Sequence, residues 1–202
     1  LTAASNLIVG SEPLSLKSLD ILQENLPMSK VVYHRVKSPL GTLIIGTTSK
    51  GCCLLEFEDS HSLTEINSRY NKWYKMECVE GSHLILDTLE SELQAYFEGK
   101  LLSFSIPLDL RGTPFEISVW NELLNIPYGE TKSYLDVARA IGNPSASRAV
   151  GRANGNNPVA IVVPCHRVIA SNGTLHGYGG GLWRKEKLLA LESRKKNLTD
   201  FI

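Results

Sequence analysis

The chain lacks several features that would place it in a large class at once. Among its 202 residues no apolar run approaches the roughly 20 residues that span a bilayer, and no charged-apolar-small signal peptide opens it. Cysteine is scarce: Cys52, Cys53, Cys78 and Cys165 form no evenly spaced framework, and adjacent Cys52 and Cys53 would point to opposite faces of a strand. There is no phosphate-cradling glycine loop of the usual spacing, and Cys52, Cys53 and Cys78 with His34, His61 and His83 show no metal-ligand spacing. Repeats and low-complexity tracts are missing too. These absences leave a globular protein of a reducing, intracellular compartment, with no cofactor and no metal expected.

What is present divides unevenly. Net charge is zero, yet residues 1 to 110 hold 9 Lys+Arg against 14 Asp+Glu, while residues 111 to 202 hold 12 against 7. The basic half suits a polyanion, although many solvated faces reach that value. Leu1 to Lys30 mixes Ser, Leu and acids without clear period and reads as an extension or fragment end. Val31 to Val36, Leu43 to Thr48 and Cys53 to Phe57 are β-rich runs separated by Ser38-Pro39-Leu40-Gly41 and Lys50-Gly51, which predicts an antiparallel meander. From His83 to Glu98, Ile85, Leu86, Leu89, Leu93 and Phe97 recur at helical spacing, and Gly99 is placed to end the run. The resulting division is residues 1–29 as an extension, 30–110 as an amino-terminal α/β domain, 111–194 as a mostly helical domain and 195–202 as a tail.

The second half opens with a helix start: Thr113 as capping hydroxyl, Pro114 at the first helical position and Glu116 three residues after the cap. Phe115, Val119 and Leu123 then form a stripe, with Trp120 at its edge. Ser133 can cap a helix carrying Leu135, Ala138 and Ile141 that stops at Gly142-Asn143-Pro144. Asn143 and Pro144 suit the cap and first position of another helix running to about Gly155, with Ala149, Val150 and Ala153 turned inward. Two short helices joined by a tight glycine-containing turn describe a helix-turn-helix. Its second helix carries Arg148 and Arg152 four residues apart, on one outward face. Those arginines serve either DNA or solvent, since many helical hairpins never meet DNA.

The run from Asn157 to Val168 carries the chemistry. Four β-branched aliphatics and Ala160 lie between Pro158 and Pro164, then Cys165, His166 and Arg167 follow in a row. A thiol at the end of a buried segment is inert unless something takes its proton. The imidazole would supply a base and the guanidinium a positive field.

Several segments together resemble one family. Ile126-Pro127-Tyr128-Gly129-Glu130-Thr131, Ser133-Tyr134, Ala140-Ile141-Gly142-Asn143-Pro144, Ser147-Arg148-Ala149-Val150-Gly151, Asn157-Pro158, Pro164-Cys165-His166-Arg167-Val168, Gly177-Tyr178 and Lys185 to Glu192 are similar to the O6-alkylguanine-DNA alkyltransferases. The match is dense from about Leu108 to Glu192. It is loose in the amino-terminal half, where it implies a small ribonuclease-H-like domain, so the fold expected is α/β (α+β).

The resemblance implies that Cys165 takes the alkyl group from O6-alkylguanine, and from O4-alkylthymine, in double-stranded DNA. His166 would deprotonate the thiol through a bridging water, Glu192 would hold the imidazole, and Asn157 would hold the turn before the active-site segment. Arg148 would fill the gap left by an extruded nucleotide, with Ser147, Ala149, Gly151 and Arg152 on the same DNA-binding helix. Tyr134, Val168, Tyr178, Gly179 and Ala160 would line the guanine pocket. A monomer, cytoplasmic in a prokaryote and nuclear in a eukaryote, is expected. Gly179-Gly180-Gly181 stands where several bacterial relatives have a large aromatic, and Ala160 replaces a proline found in others. A roomy pocket mouth and acceptance of benzyl-type substituents are therefore expected.

Two other classes remain open. A cysteine hydrolase would also use a Cys-His-Glu set, though its histidine usually lies far from the nucleophile in sequence. A non-catalytic helix-turn-helix reader of the lesion would resemble this family but lack the acceptor cysteine. A thioether has no polarised carbonyl for water to attack, so incubation with excess alkylated DNA should load one alkyl group per chain and stop. Continued turnover in that titration would indicate a hydrolase.

Overall fold

The computed structural model describes residues 30–199, so the extension expected over residues 1–29 lies outside the described residues, as do 200–202. Strands β1 (Lys30–Ser38), β2 (Gly41–Thr48) and β3 (Gly51–Phe57) form the expected antiparallel meander. Gly41, at φ 113°, closes the first turn, and its carbonyl accepts from Ser38 Oγ at 2.6 Å. Two further elements were not anticipated: helix α1 (Leu63–Tyr74) and strand β4 (Glu77–Glu80), which pairs parallel with β1 and completes the order β3-β2-β1-β4. The capping box that starts α1, in which Ser62 and Glu65 bond reciprocally, was visible in the sequence. Its interior, rich in Asn, Lys and Arg, hid the helical period.

Helix α2 (Leu84–Phe97) ends before Gly99, whose φ is 71°. The two helices cover opposite faces of the sheet. Ile66, Tyr70 and Tyr74 of α1 pack with Ile44 and Cys53, while Leu86, Leu89 and Leu93 of α2 share a core with Leu43, Ile45, Cys52 and Leu55. Cys52 and Cys53 thus do point to opposite faces, and all four cysteines are free.

The carboxy-terminal half contains α3 (Pro114–Leu124), β5 (Lys132–Ser133), α4 (Tyr134–Ala140), α5 (Ser147–Gly155), β6 (Val168–Ile169) and α6 (Leu182–Thr199), with one-turn 3₁₀ segments at Pro144–Ala146 and Cys165–Arg167. Thr113 and Ser133 cap α3 and α4 through full capping boxes. The last helix runs past residue 195, where the tail was placed, because no Gly or Pro intervenes to stop it. No helix among the described residues is long and apolar enough to cross a membrane.

Three local readings are corrected. Trp120 is buried rather than at an edge, because its indole N–H donates to the Ala153 carbonyl at 2.8 Å and locks α3 to α5. Ala149 is exposed: the inward stripe of α5 is Val150, Ala153 and Asn154, at spacing i, i+3, i+4, and polar Asn154 occupies the place that composition assigns to an alanine. Asn143 does not cap α5 with its side chain; the turn opens as 3₁₀, and Asn143 Oδ1 instead accepts from Ser145 Oγ at 3.0 Å.

One core joins the halves, since Val119, Leu123, Val137, Val150 and Leu188 belong to the same buried cluster as Leu43 and Leu89. Strand β3 is one edge of the sheet, and two later segments of the chain bond to it. Cys52 N–H donates to Pro107 O and Cys52 O accepts from Asp109 N–H, while Leu55 N–H donates to Pro158 O and Leu55 O accepts from Ala160 N–H. The segment leading to Cys165 is therefore clipped onto the amino-terminal sheet.

Gly51 lies where this clip begins, at φ 154°, and a Cβ there would sit 2.5 Å from the Pro107 carbonyl oxygen. Backbone cannot yield as a side chain can. Gly51→Ala should cost about 2 kcal/mol or more, read as a drop in urea midpoint, whereas the open Gly142→Ala should cost less despite its similar sign of φ.

Candidate active site

Local rules place Cys165 at the start of a one-turn 3₁₀ helix beneath the apolar run, where Val159, Ile161 and Val163 are almost wholly buried. Ile161 adopts φ 71°, a conformation β-branched residues rarely take, and it bends the chain back so that Val163 N–H reaches Val159 O at 2.9 Å. Asn157 braces this bend: its Nδ2 donates to Val163 O at 2.8 Å and its Oδ1 accepts from Val159 N–H at 3.0 Å. From α5, Asn154 Nδ2 donates to Cys165 O at 3.2 Å. That contact was missed because asparagine in a helix usually reads as a solvent residue.

Behind the cysteine lies a buried ionic hub. Glu192, on α6, is 1% exposed and accepts five hydrogen bonds: from His166 Nε2 (2.9 Å), Arg167 Nε (2.9 Å), Arg167 Nη2 (2.9 Å), Tyr96 OH (2.7 Å) and Gly129 N–H (3.2 Å). Burial opposes its ionisation, but the hydrogen bonds from His166 and Arg167 and the charge of Arg167 outweigh burial and hold the carboxyl well below the usual carboxylate range. A carboxylate only accepts, so His166 must carry its proton on Nε2. Its Nδ1 is then the lone-pair nitrogen, and that atom is buried with no hydrogen-bond partner among the described residues. Burial lowers the pKa of His166 and keeps the ring neutral, against the opposing pull of Glu192.

The expected source of positive field is corrected here. Arg167 turns away from the thiol, giving two donors to Glu192 and Nη1 to Ile126 O at 2.6 Å. The cation that acts on Cys165 is Lys185, whose Nζ donates to Val168 O at 2.6 Å and His176 O at 2.9 Å. Burial raises the Cys165 pKa; the Asn157 amide, Lys185 and nearby backbone N–H groups pull it part of the way down. The resting group is a thiol that needs a base. Lys185 escaped notice because a lysine on a charged helix reads as a solvated residue.

Arg148 and Arg152 are exposed on α5, with Ala149 beside them, while Ser147 and Gly151 are half-buried. Tyr134 opens α4; its hydroxyl donates to His176 O at 3.1 Å, and its ring faces Gly151 at 3.8 Å from where a Cβ would stand. His176 is exposed, but its carbonyl ties Tyr134 and Lys185 together. Val168 is buried in β6.

A cleft of about 30 Å³ opens at Cys165, lined by Asn154, Asn157, Ala160, Tyr178, Gly179 and Gly180 and, from the amino-terminal half, by Phe57 and Ser60. The three glycines do not make the mouth roomy. Gly180 lies flat on Phe57, so closely that a Cβ there would meet the ring at 2.6 Å. Phe57, from β3, occupies the space beside this loop. Among the described residues no group of three or more His, Cys, Asp or Glu side chains could hold a metal ion.

A buried thiol followed in the chain by a histidine held on a carboxylate, together with a helix that exposes two arginines, suits a cysteine-centred transferase that reaches its substrate through a helix-turn-helix. Comparison with known proteins agrees. Models of the 6-O-methylguanine DNA methyltransferase ribonuclease-like domain and DNA binding domain match residues 31–110 and 114–194. The chain is 63% identical over 164 residues to a methylated-DNA–protein-cysteine methyltransferase of Mycolicibacterium paratuberculosis, covering 81% of this chain and 93% of that one. It is 44% identical over 160 residues to the protein of that name in Methanosarcina acetivorans, covering 79% and 97%. Among solved structures, Mycobacterium tuberculosis OGT in complex with DNA superposes with a TM-score of 0.70 at 44% identity, covering 81% and 93%. The chain belongs to the 6-O-methylguanine DNA methyltransferase family.

The hub makes the fold sensitive to acid. Glu192 is depressed in the folded state, so its stabilisation is complete above the ordinary carboxylate pKa of about 4.3 and is lost progressively as pH falls from there through the much lower folded-state pKa. His166 is lowered as well, and below about pH 6.5 the unfolded chain gains a proton that the folded chain refuses. Both effects act in one direction. Glu192→Gln should cost about 3 kcal/mol at neutral pH, because Arg167 is left buried without its counter-charge. In thermal melts the gap to wild type should narrow below about pH 4.

Proposed function

We propose that Cys165 is both nucleophile and acceptor for the alkyl group of O6-alkylguanine, and of O4-alkylthymine, in double-stranded DNA. The activity is that of a methylated-DNA–protein-cysteine methyltransferase, a repair by direct reversal. The observation that carries the residue assignment is the tautomer of His166: Nε2–H is committed to Glu192, which leaves the Nδ1 lone pair for the proton of Cys165. That proton passes to Nδ1 through a bridging water, and Glu192 stabilises the imidazolium formed. The thiolate attacks the saturated carbon in line, the C–O6 bond breaks with its electron pair on oxygen, and guanine returns to its keto form as N1 takes up a proton. The thioether has no good leaving group, so each chain acts once and needs no cofactor.

A stacked base cannot bring its O6 group to a buried sulfur, so the nucleotide must leave the helix. Arg148, exposed on α5, takes its place, with Arg152, Ser147, Ala149 and Gly151 against the backbone. Tyr134 rotates the phosphate and meets the base, while Val168, Tyr178, Gly179 and Ala160 line the pocket and Asn157 keeps the bend in shape. Extrusion costs least at a lesion that already pairs badly, which selects damage without reading sequence, and affinity should fall steeply with salt. In this reading residues 30–110 and 111–194 are the two working domains, and the protein acts as a monomer on DNA inside the cell.

Peptide mapping after exposure to O6-methylguanine DNA should place one methyl group on residue 165. Cys165→Ala should still bind the DNA and lose transfer. Arg148→Ala should slow repair of duplex DNA by about tenfold or more while sparing reaction with a free modified base, as expected if the side chain offsets a few kcal/mol of unstacking. Equal slowing on both substrates would sink the role given to the arginine.

A further inference from the structure

The wall of the Cys165 cleft is not built by the carboxy-terminal half alone. Phe57, the last residue of β3, is 1% exposed and lines the cleft opposite Ala160 and Tyr178. Its ring is fixed from behind: Arg184 lies over it with the guanidinium carbon 4.1 Å from the ring centroid. That guanidinium is anchored in turn, donating to Leu40 O at 2.8 Å, Gly180 O at 2.8 Å and Asp59 Oδ2 at 2.8 Å. Phe57 is also held by strand pairing with Leu43. On its free side it touches Gly180, which no larger residue could occupy without displacing the ring.

We infer that Phe57 is a specificity-determining residue that limits the size of the alkyl group Cys165 can accept. The inference rests on Cys165 as acceptor. At about 30 Å³ the empty cleft is too small for a guanine, so a wall must move to admit the base itself, and the alkyl group then meets whichever wall stays in place. A larger substituent must push back either the Gly177–Gly181 loop or the phenyl ring, and the ring is pinned by its strand and by Arg184. The loop is itself tied to Arg184 through the Gly180 carbonyl, so its retreat breaks that bond. Size selection is then a property of the amino-terminal sheet, imposed on chemistry located in the other half of the chain.

The test uses the full chain and paired duplexes carrying O6-methylguanine or O6-benzylguanine, so that DNA binding and base extrusion are shared. Second-order rate constants are read from adduct mass on Cys165, and the benzyl-to-methyl ratio within each variant is independent of the fraction of folded protein. Phe57→Ala should raise that ratio by about tenfold, the scale set by a few methylenes of apolar space. Phe57→Leu, which keeps the core filled, should raise it less. A ratio unchanged within about twofold in both variants, with the wild type transferring methyl normally, would overturn this inference alone. Absence of any adduct on wild-type Cys165 would instead overturn the functional reading, and this inference with it.

Discussion

Glu192 is the point on which the site's geometry turns. One carboxylate with five donors orients the imidazole, neutralises Arg167, draws in Tyr96 from α2 and closes the Gly129 turn. Such a group is costly to bury alone, and removing Arg167 leaves its charge without compensation in a medium that screens it poorly. The arrangement is therefore closer to all-or-none than a sum of separate contacts. It also reaches across the molecule: Tyr96 is 96 residues from Glu192 in sequence, so the amino-terminal half helps to aim the histidine.

The same dependence is repeated at the edge of the sheet. Leu55 on β3 exchanges two backbone bonds with the Pro158–Ala160 stretch, and Arg184 bridges the β1–β2 turn, the β3–α1 loop and the Gly180 loop. A continuous apolar core runs beneath. The halves differ in composition and charge, yet the cleft at Cys165 exists only where they meet. The amino-terminal sheet is a structural member of the site as well as its neighbour.

Much of this was legible in order along the chain. Capping boxes at Thr113 and Ser133, the glycine and proline stops, and the apolar run before Cys165 all act locally, and local rules read them well. Errors came where a residue's partner is distant. Arg167 adjoins the thiol's histidine in sequence, but its geometry matches the carboxylate of Glu192, 25 residues on. Ala149 was turned inward by composition, whereas the inward position belongs to an asparagine that binds the Cys165 carbonyl. Lys185 was passed over because the carbonyls that bury it belong to Val168 and the loop at His176.

The glycine run shows the division most sharply. Sequence alone placed Cys165, His166 and Glu192 in one family pattern, through their identity and spacing, and set a histidine beside the thiol. It could not determine how wide the cleft is, since that width is set by Phe57, more than a hundred residues away. Only the tertiary structure, by packing Phe57 of β3 against Gly180, decided that the glycine run makes a tight fit there instead of an opening. The physical reason is that nucleophile, base and caps are local or one-dimensional signals, whereas the volume of a cavity depends on every wall at once.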